Sequence, residues 1–215
     1  MIVVTGDAPD EAALDRSRWR LSAHCVIAAF GTYFCVYALR KPFTAATFEG
    51  QEAFGLALKA FYVASQVAGY TISKFIGIGL VSSTPPARRA PTIVALVAIA
   101  QASLLLFGLT PAPWNAIWLF VNGLPLGMVF GLILGFLEGR RQSELLTAGL
   151  CASFILSTGT VKSVGQSLVV SHGVSEQWMP ALVGLVFLGP LLFFVWLLRR
   201  IPPPDERDIQ ARTKR

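Results

Sequence analysis

The chain has 215 residues, of which 54% are hydrophobic and only 14% charged, and its mean hydropathy is +0.61. Soluble domains carry about 25% charged residues, so this chain lacks the charge needed to coat a soluble surface. Its net charge of +6 does not indicate nucleic acid as a partner, because the basic residues flank apolar stretches instead of forming one face.

Residues 1–18 read as a short cytoplasmic tail. Asp7, Asp10, Glu11 and Asp15 stand where a signal peptide needs a basic start and an apolar core. Six apolar spans follow, at 19–39, 58–81, 92–109, 114–137, 145–170 and 181–198. Each is close to the roughly 20 residues that cross a hydrocarbon core about 30 Å thick. The predicted fold class is therefore all-α, a polytopic six-helix transmembrane bundle over residues 19–200. Prolines punctuate it: Pro42 after the first span, Pro85, Pro86 and Pro91 after the second, Pro111 and Pro113 after the third. Pro180 opens the sixth span, Pro202, Pro203 and Pro204 close it, and residues 201–215 read as a cytoplasmic tail or central linker. Trp19, Trp114 and Trp178 sit at span ends, where amphipathic rings favour the headgroup region.

Lys and Arg set the expected orientation. With the N-terminus inside, thirteen of them face the cytoplasm, among them Arg88, Arg89, Arg140, Arg141, Arg199 and Arg200. Only Arg40, Lys41 and Lys59 fall outside, and Lys74 and Lys162 lie within spans. The asymmetry predicts N-in and C-in.

Span one presents Tyr33, Tyr37 and Arg40 at spacings of four and three, and span two presents Tyr62, Gln66, Tyr70 and Lys74 every four residues. Span five adds Thr158, Lys162 and Gln166. Residues spaced this way share a helix face. No acidic residue lies inside a span to neutralise these cations. An intramembrane cation costs roughly 2.5–3.5 kcal/mol on insertion scales, so the stripes point to an anion held in a central cavity, with Tyr and Gln donating further hydrogen bonds. A rival reading has the cations snorkelling to the two interfaces. Within these span limits Arg40, Lys74 and Lys162 fall at different depths, which counts against a single site, but three aligned stripes still favour a functional reading.

Spans three and six are almost free of polar side chains and are expected to face lipid. Span four carries Gly123, Gly127, Gly131, Gly135 and Gly139, a smooth face for close helix packing. On it, Asn122 and Pro125 add a polar contact and a kink. Cys25, Cys35 and Cys151 form no disulfide or metal pattern, and His24 and His172 are isolated. No metal, no cofactor and no enzymatic chemistry are expected.

The segment Tyr37-Ala38-Leu39-Arg40-Lys41-Pro42-Phe43, with Gly69-Tyr70-Thr71-Ile72-Ser73-Lys74-Phe75 in span two, resembles the organophosphate:phosphate antiporters of the major facilitator superfamily. That resemblance covers about the first ninety residues. It implies two six-helix halves with the substrate between them, Arg40 on the substrate phosphate and Lys74 in the same basic cavity. The loop Ser82-Ser83-Thr84-Pro85-Pro86-Ala87-Arg88-Arg89 keeps the superfamily's basic pair but lacks the acid before it. The whole is similar to an uncharacterised bacterial branch of the superfamily. The expected protein is thus the N-terminal half of a secondary transporter of a bacterial inner membrane. Its expected partners are a small anionic solute, the lipid bilayer and a second six-helix bundle. A membrane sensor that binds an anion without moving it, and a structural membrane subunit, are the alternatives.

Overall fold

The computed structural model describes residues 11–138 and 143–202. Six long helices dominate it: α1 (Glu11–Tyr37), α2 (Leu58–Ser83), α3 (Pro86–Leu109), α4 (Ala116–Leu137), α5 (Ser143–His172) and α6 (Met179–Arg199). The chain is accordingly an all-helical bundle, apart from one small hairpin. Four of the helices, α3 to α6, are long and apolar enough to cross a membrane. Helices α1 and α2 have the length, 27 and 26 residues. Their lower hydropathy follows from the charged start of α1 and from Lys59, Lys74 and the tyrosines of α2.

Helices α1 and α3 reach well upstream of the apolar spans read from the sequence. Helix α1 already includes Glu11, inside the expected tail; residues 11–14 (Glu-Ala-Ala-Leu) are strong helix formers, and no Gly or Pro interrupts the chain from there to Phe30. Helix α3 begins at Pro86, not after Pro91. Proline is well suited to a first helical position, where its missing N–H costs nothing, and Pro91 is carried inside the helix.

The helices pack in the order α2–α4–α3–α6–α1–α5, with lighter contacts of α4 on α1 and α5. Helix α4 is the centre; half of its apolar window is buried. Helices α3 and α6, expected at the lipid, form a second row and each bury one face on a neighbour. Helices α2 and α5 are the flanks. Phe75, Ile78, Ile155 and Val170 on them are more than 70% exposed. Helices α1 and α2 are not in extensive contact, so a gap separates them, backed by α4.

The approach of α2 to α4 is set by glycine. A Cβ on Gly123 would collide with the backbone of Gln66 and Tyr70, one on Gly127 with the Ser73 side chain, and one on Gly69 with the Phe120 carbonyl. Gly131 and Gly135 abut Val81 and the Arg89 guanidinium in the same way. Gly139 lies outside the described residues. Two buried amides reinforce the seam: Gln66 Nε2 donates to Asn122 Oδ1 (2.8 Å), and Asn122 Nδ2 donates to the Ala100 carbonyl (3.0 Å).

At one end of the bundle, the α1–α2 connection forms a 3-10 turn (Pro42–Ala45) and a two-stranded hairpin, β1 (Glu52–Ala53) with β2 (Leu56–Ala57). Glu176, from the α5–α6 loop, ties this connection down. Its carboxylate accepts from Thr47 N (2.8 Å), Thr47 Oγ1 (2.9 Å) and Phe48 N (2.8 Å). The adjacent Gln177 donates to the Thr110 carbonyl (2.7 Å) at the end of α3. At the other end, His24 bonds the Leu197 carbonyl (3.0 Å), joining α1 to α6.

Candidate functional site

Tyr70 lies near the middle of α2 and receives both cations of the first two stripes. Arg40 Cζ is 3.8 Å from its ring centroid, and Lys74 Nζ is 4.7 Å from the same centroid. Arg40 stands just beyond the end of α1, and its side chain reaches across the gap between α1 and α2. The two cations can therefore be no farther apart than those two distances combined. The span limits alone put them at different depths; the length of the Arg40 side chain and the turn after Tyr37 remove the difference.

An aromatic cluster supports the pair. The Tyr33 ring packs on Tyr37 (5.5 Å), Phe130 (5.5 Å) and Phe154 (4.9 Å), so α1, α4 and α5 all contribute. Arg40 also lies 5.9 Å from the Tyr37 centroid, and Lys74 Nζ lies 5.4 Å from that of Phe130. The Tyr70 hydroxyl interacts with both Tyr33 and Lys74. Among the described residues no carboxylate pairs with Arg40 or Lys74.

The remaining site candidates divide. Tyr62 and Gln66 do not join the cluster. The Tyr62 hydroxyl donates to Asn115 Oδ1 (2.8 Å) and its ring packs on Phe48 and Phe107, while Gln66 is held by Asn122. The reason is helical geometry. A step of four residues overshoots a 3.6-residue turn by about 40°, so a stripe that begins on α3 and α4 at Tyr62 has wound round to the gap by Tyr70 and Lys74. Thr158 donates back to the Phe154 carbonyl (2.7 Å). Lys162 is exposed and acts on Lys41, whose ammonium is held below the usual lysine range by burial first, then by Arg40 and Lys162.

A cavity of about 410 Å³ runs from Lys74 and Phe130 towards the end of α4 that carries Glu138, between α2 and α4. Arg89 lines it too, as do Gly131 and Gly135. The volume falls in the usual range of small-molecule pockets, about 300–1,000 Å³.

Sequence reasoning did not single out Phe130, Phe154, Lys41 or Arg89. Phe130 and Phe154 lie among many apolar residues and carry no distinguishing signal. Lys41 counted there only as a topology marker and as part of the segment after span one, and Arg89 only as a topology marker and one of the loop's basic pair; the place of Arg89 against Gly135 is a tertiary contact with no signal in the sequence.

The chain belongs to DUF5690, a family of unknown function, whose model matches residues 42–215. The match begins two residues after Arg40 and includes Tyr70, Lys74 and Arg89. Comparison with curated proteins and with solved structures gives no match.

Proposed function

We propose that this chain forms the N-terminal half of a secondary transporter of the major facilitator type, carrying a small anion that bears a phosphate group, or phosphate itself. The observation that supports this reading best is the convergence of Arg40 and Lys74 on one tyrosine ring at mid-length of α2. Each cation–π contact offsets about 0.5–2 kcal/mol. The intramembrane cost is roughly 2.5–3.5 kcal/mol per cation, so two cations on one ring keep an unmet demand for negative charge. A guanidinium fork beside an ammonium suits a tetrahedral oxyanion. Tyr33, Tyr37 and Tyr70 orient the anion, and Lys41 and Lys162 extend the positive field towards the end that Glu176 ties.

In this reading all six helices span the inner membrane, N-in and C-in, as the thirteen-to-three distribution of Lys and Arg suggests. The exposed apolar flanks α2 and α5 offer faces to a second six-helix bundle, which would close the site at the gap between α1 and α2 and rock about it. Tyr62 and Gln66 are assigned here to packing.

Vesicles carrying the intact protein test the proposal. The expected result is saturable uptake of labelled phosphate or a phosphate monoester, abolished by Arg40→Ala with membrane insertion unchanged. Unaltered uptake by that variant refutes the assignment. Saturable binding without any flux makes the protein a sensor instead.

A further inference from the structure

Arg89 occupies an unusual place. It sits in the first turns of α3, where the helix dipole opposes a cation. The end of α4 compensates, because Arg89 Nη1 donates to the Gly135 carbonyl close to the last residue of that helix. Gly135 makes the seat: a Cβ there would lie 2.9 Å from Arg89 Cζ. Yet the guanidinium is not satisfied. Its Nε is buried and has no hydrogen-bond partner among the described residues.

Arg89 and Lys74 line opposite ends of the same cavity. Ser82, eight residues after Lys74 and also lining it, marks a length of about 12 Å along α2 at 1.5 Å per residue. The walls between are small or apolar, including Gly77, Val81 and Gly131. The rim carries one exposed carboxylate, Glu138, which makes no ion pair with either cation. Two cations against one solvated carboxylate leave the cavity net positive.

We propose that this cavity is a second oxyanion site, distinct from the Arg40–Tyr70 cluster, in which Arg89 binds a phosphate-type group and Lys74 is shared between the two sites. The proposal rests on the reading of Lys74 as an anion-binding side chain. A free phosphate and the phosphate of a lipid headgroup present the same chemistry to Arg89, and the experiment separates them.

The full chain is purified into nanodiscs, and inorganic phosphate is titrated by calorimetry. Lipids retained by the protein are counted by native mass spectrometry. Two phosphates bound per chain, falling to one in Arg89→Gln, support the proposal with free phosphate as the ligand. One retained anionic phospholipid, absent from Arg89→Gln, supports it with a headgroup as the ligand. Glu138→Gln, an exposed change that spares folding, should tighten the Arg89 site about threefold by removing a repulsion across several ångströms of water. A single phosphate that is lost in Arg40→Gln but indifferent to Arg89→Gln and Glu138→Gln, with no Arg89-dependent lipid, overturns the second site and leaves the transporter reading intact. No saturable phosphate binding in the unmodified chain overturns the transporter reading. An Arg89-dependent lipid seen in that case still supports the second site, and its absence removes both.

Discussion

The Arg40 guanidinium stacks 3.8 Å from the centroid of Tyr70, thirty residues further along the chain, across helices that otherwise barely touch. A side-chain bridge over a gap holds the cation at mid-bundle without filling the space beside it. Both the capacity of the cluster to accept an anion and its sensitivity to the aromatic ring follow from that arrangement.

The ring of Tyr70, more than its hydroxyl, carries the cations. Tyr70→Phe keeps the face and should change phosphate affinity by no more than about threefold. Tyr70→Leu removes up to about 2 kcal/mol of cation–π attraction, and affinity should fall by roughly ten- to thirty-fold. Titration of both variants in nanodiscs checks this; equal losses would assign the effect to the hydroxyl contacts with Tyr33 and Lys74.

Asn122 and Gln66 should behave as packing residues. Asn122→Ala strands the Gln66 amide and the Ala100 carbonyl in a buried seam, at a cost of about 1–3 kcal/mol. Thermal unfolding in detergent should shift down while phosphate affinity stays unchanged. A loss of affinity at unchanged stability would return Gln66 to the binding site.

The glycines of the α2–α4 seam should rank by what a methyl group meets. Gly123→Ala strikes the backbone of α2 and Gly69→Ala that of α4. Each should cost about 1–3 kcal/mol through overpacking. Gly79→Ala and Gly159→Ala have nothing within 4 Å, and both should be neutral or slightly stabilising through helix propensity. Unfolding curves of the four variants decide the order.

The helices and the glycine stripe were legible in the sequence because both are written in local periodicity: apolar runs of about 20 residues and a small residue at every fourth position. The site was legible in part. Arg40, Lys74 and the tyrosines stood out as polar groups in apolar spans, and Tyr33, Tyr37, Tyr70, Arg40 and Lys74 do converge. The separation of Tyr62 and Gln66 from Tyr70 was not legible, since a four-residue repeat looks like one face until its rotation is summed over three turns. Phe130 and Phe154 were hidden for another reason. Their role depends on which helices adjoin α1, and spacing within one span carries no such information.

Glu176 should act as an acid-sensitive tie. Burial would raise its carboxyl, but hydrogen bonds from Thr47 and Phe48 and the charge of Lys59 outweigh it and hold the group below its ordinary value. A depressed carboxyl contributes stability that is present above its unfolded value, about 4.3, and is lost as pH falls through the folded value. Glu176→Gln should therefore destabilise the chain at neutral pH by on the order of 1 kcal/mol after allowing for solvent, lowering its unfolding temperature, and the difference from the unmodified chain should vanish well below pH 4. A difference that persists at that acidity would show that something other than the charge does the tying.

The central claim is that Arg40 and Lys74 together hold an oxyanion. Equilibrium binding of inorganic phosphate to the purified chain and to Arg40→Gln, at matched ionic strength, tests it most directly. The account predicts saturable binding in the unmodified chain and at least a tenfold weaker affinity at the Arg40 site in the variant, with helicity unchanged. Equal affinity in the two proteins would contradict it, and would leave the cations of the gap as structural groups.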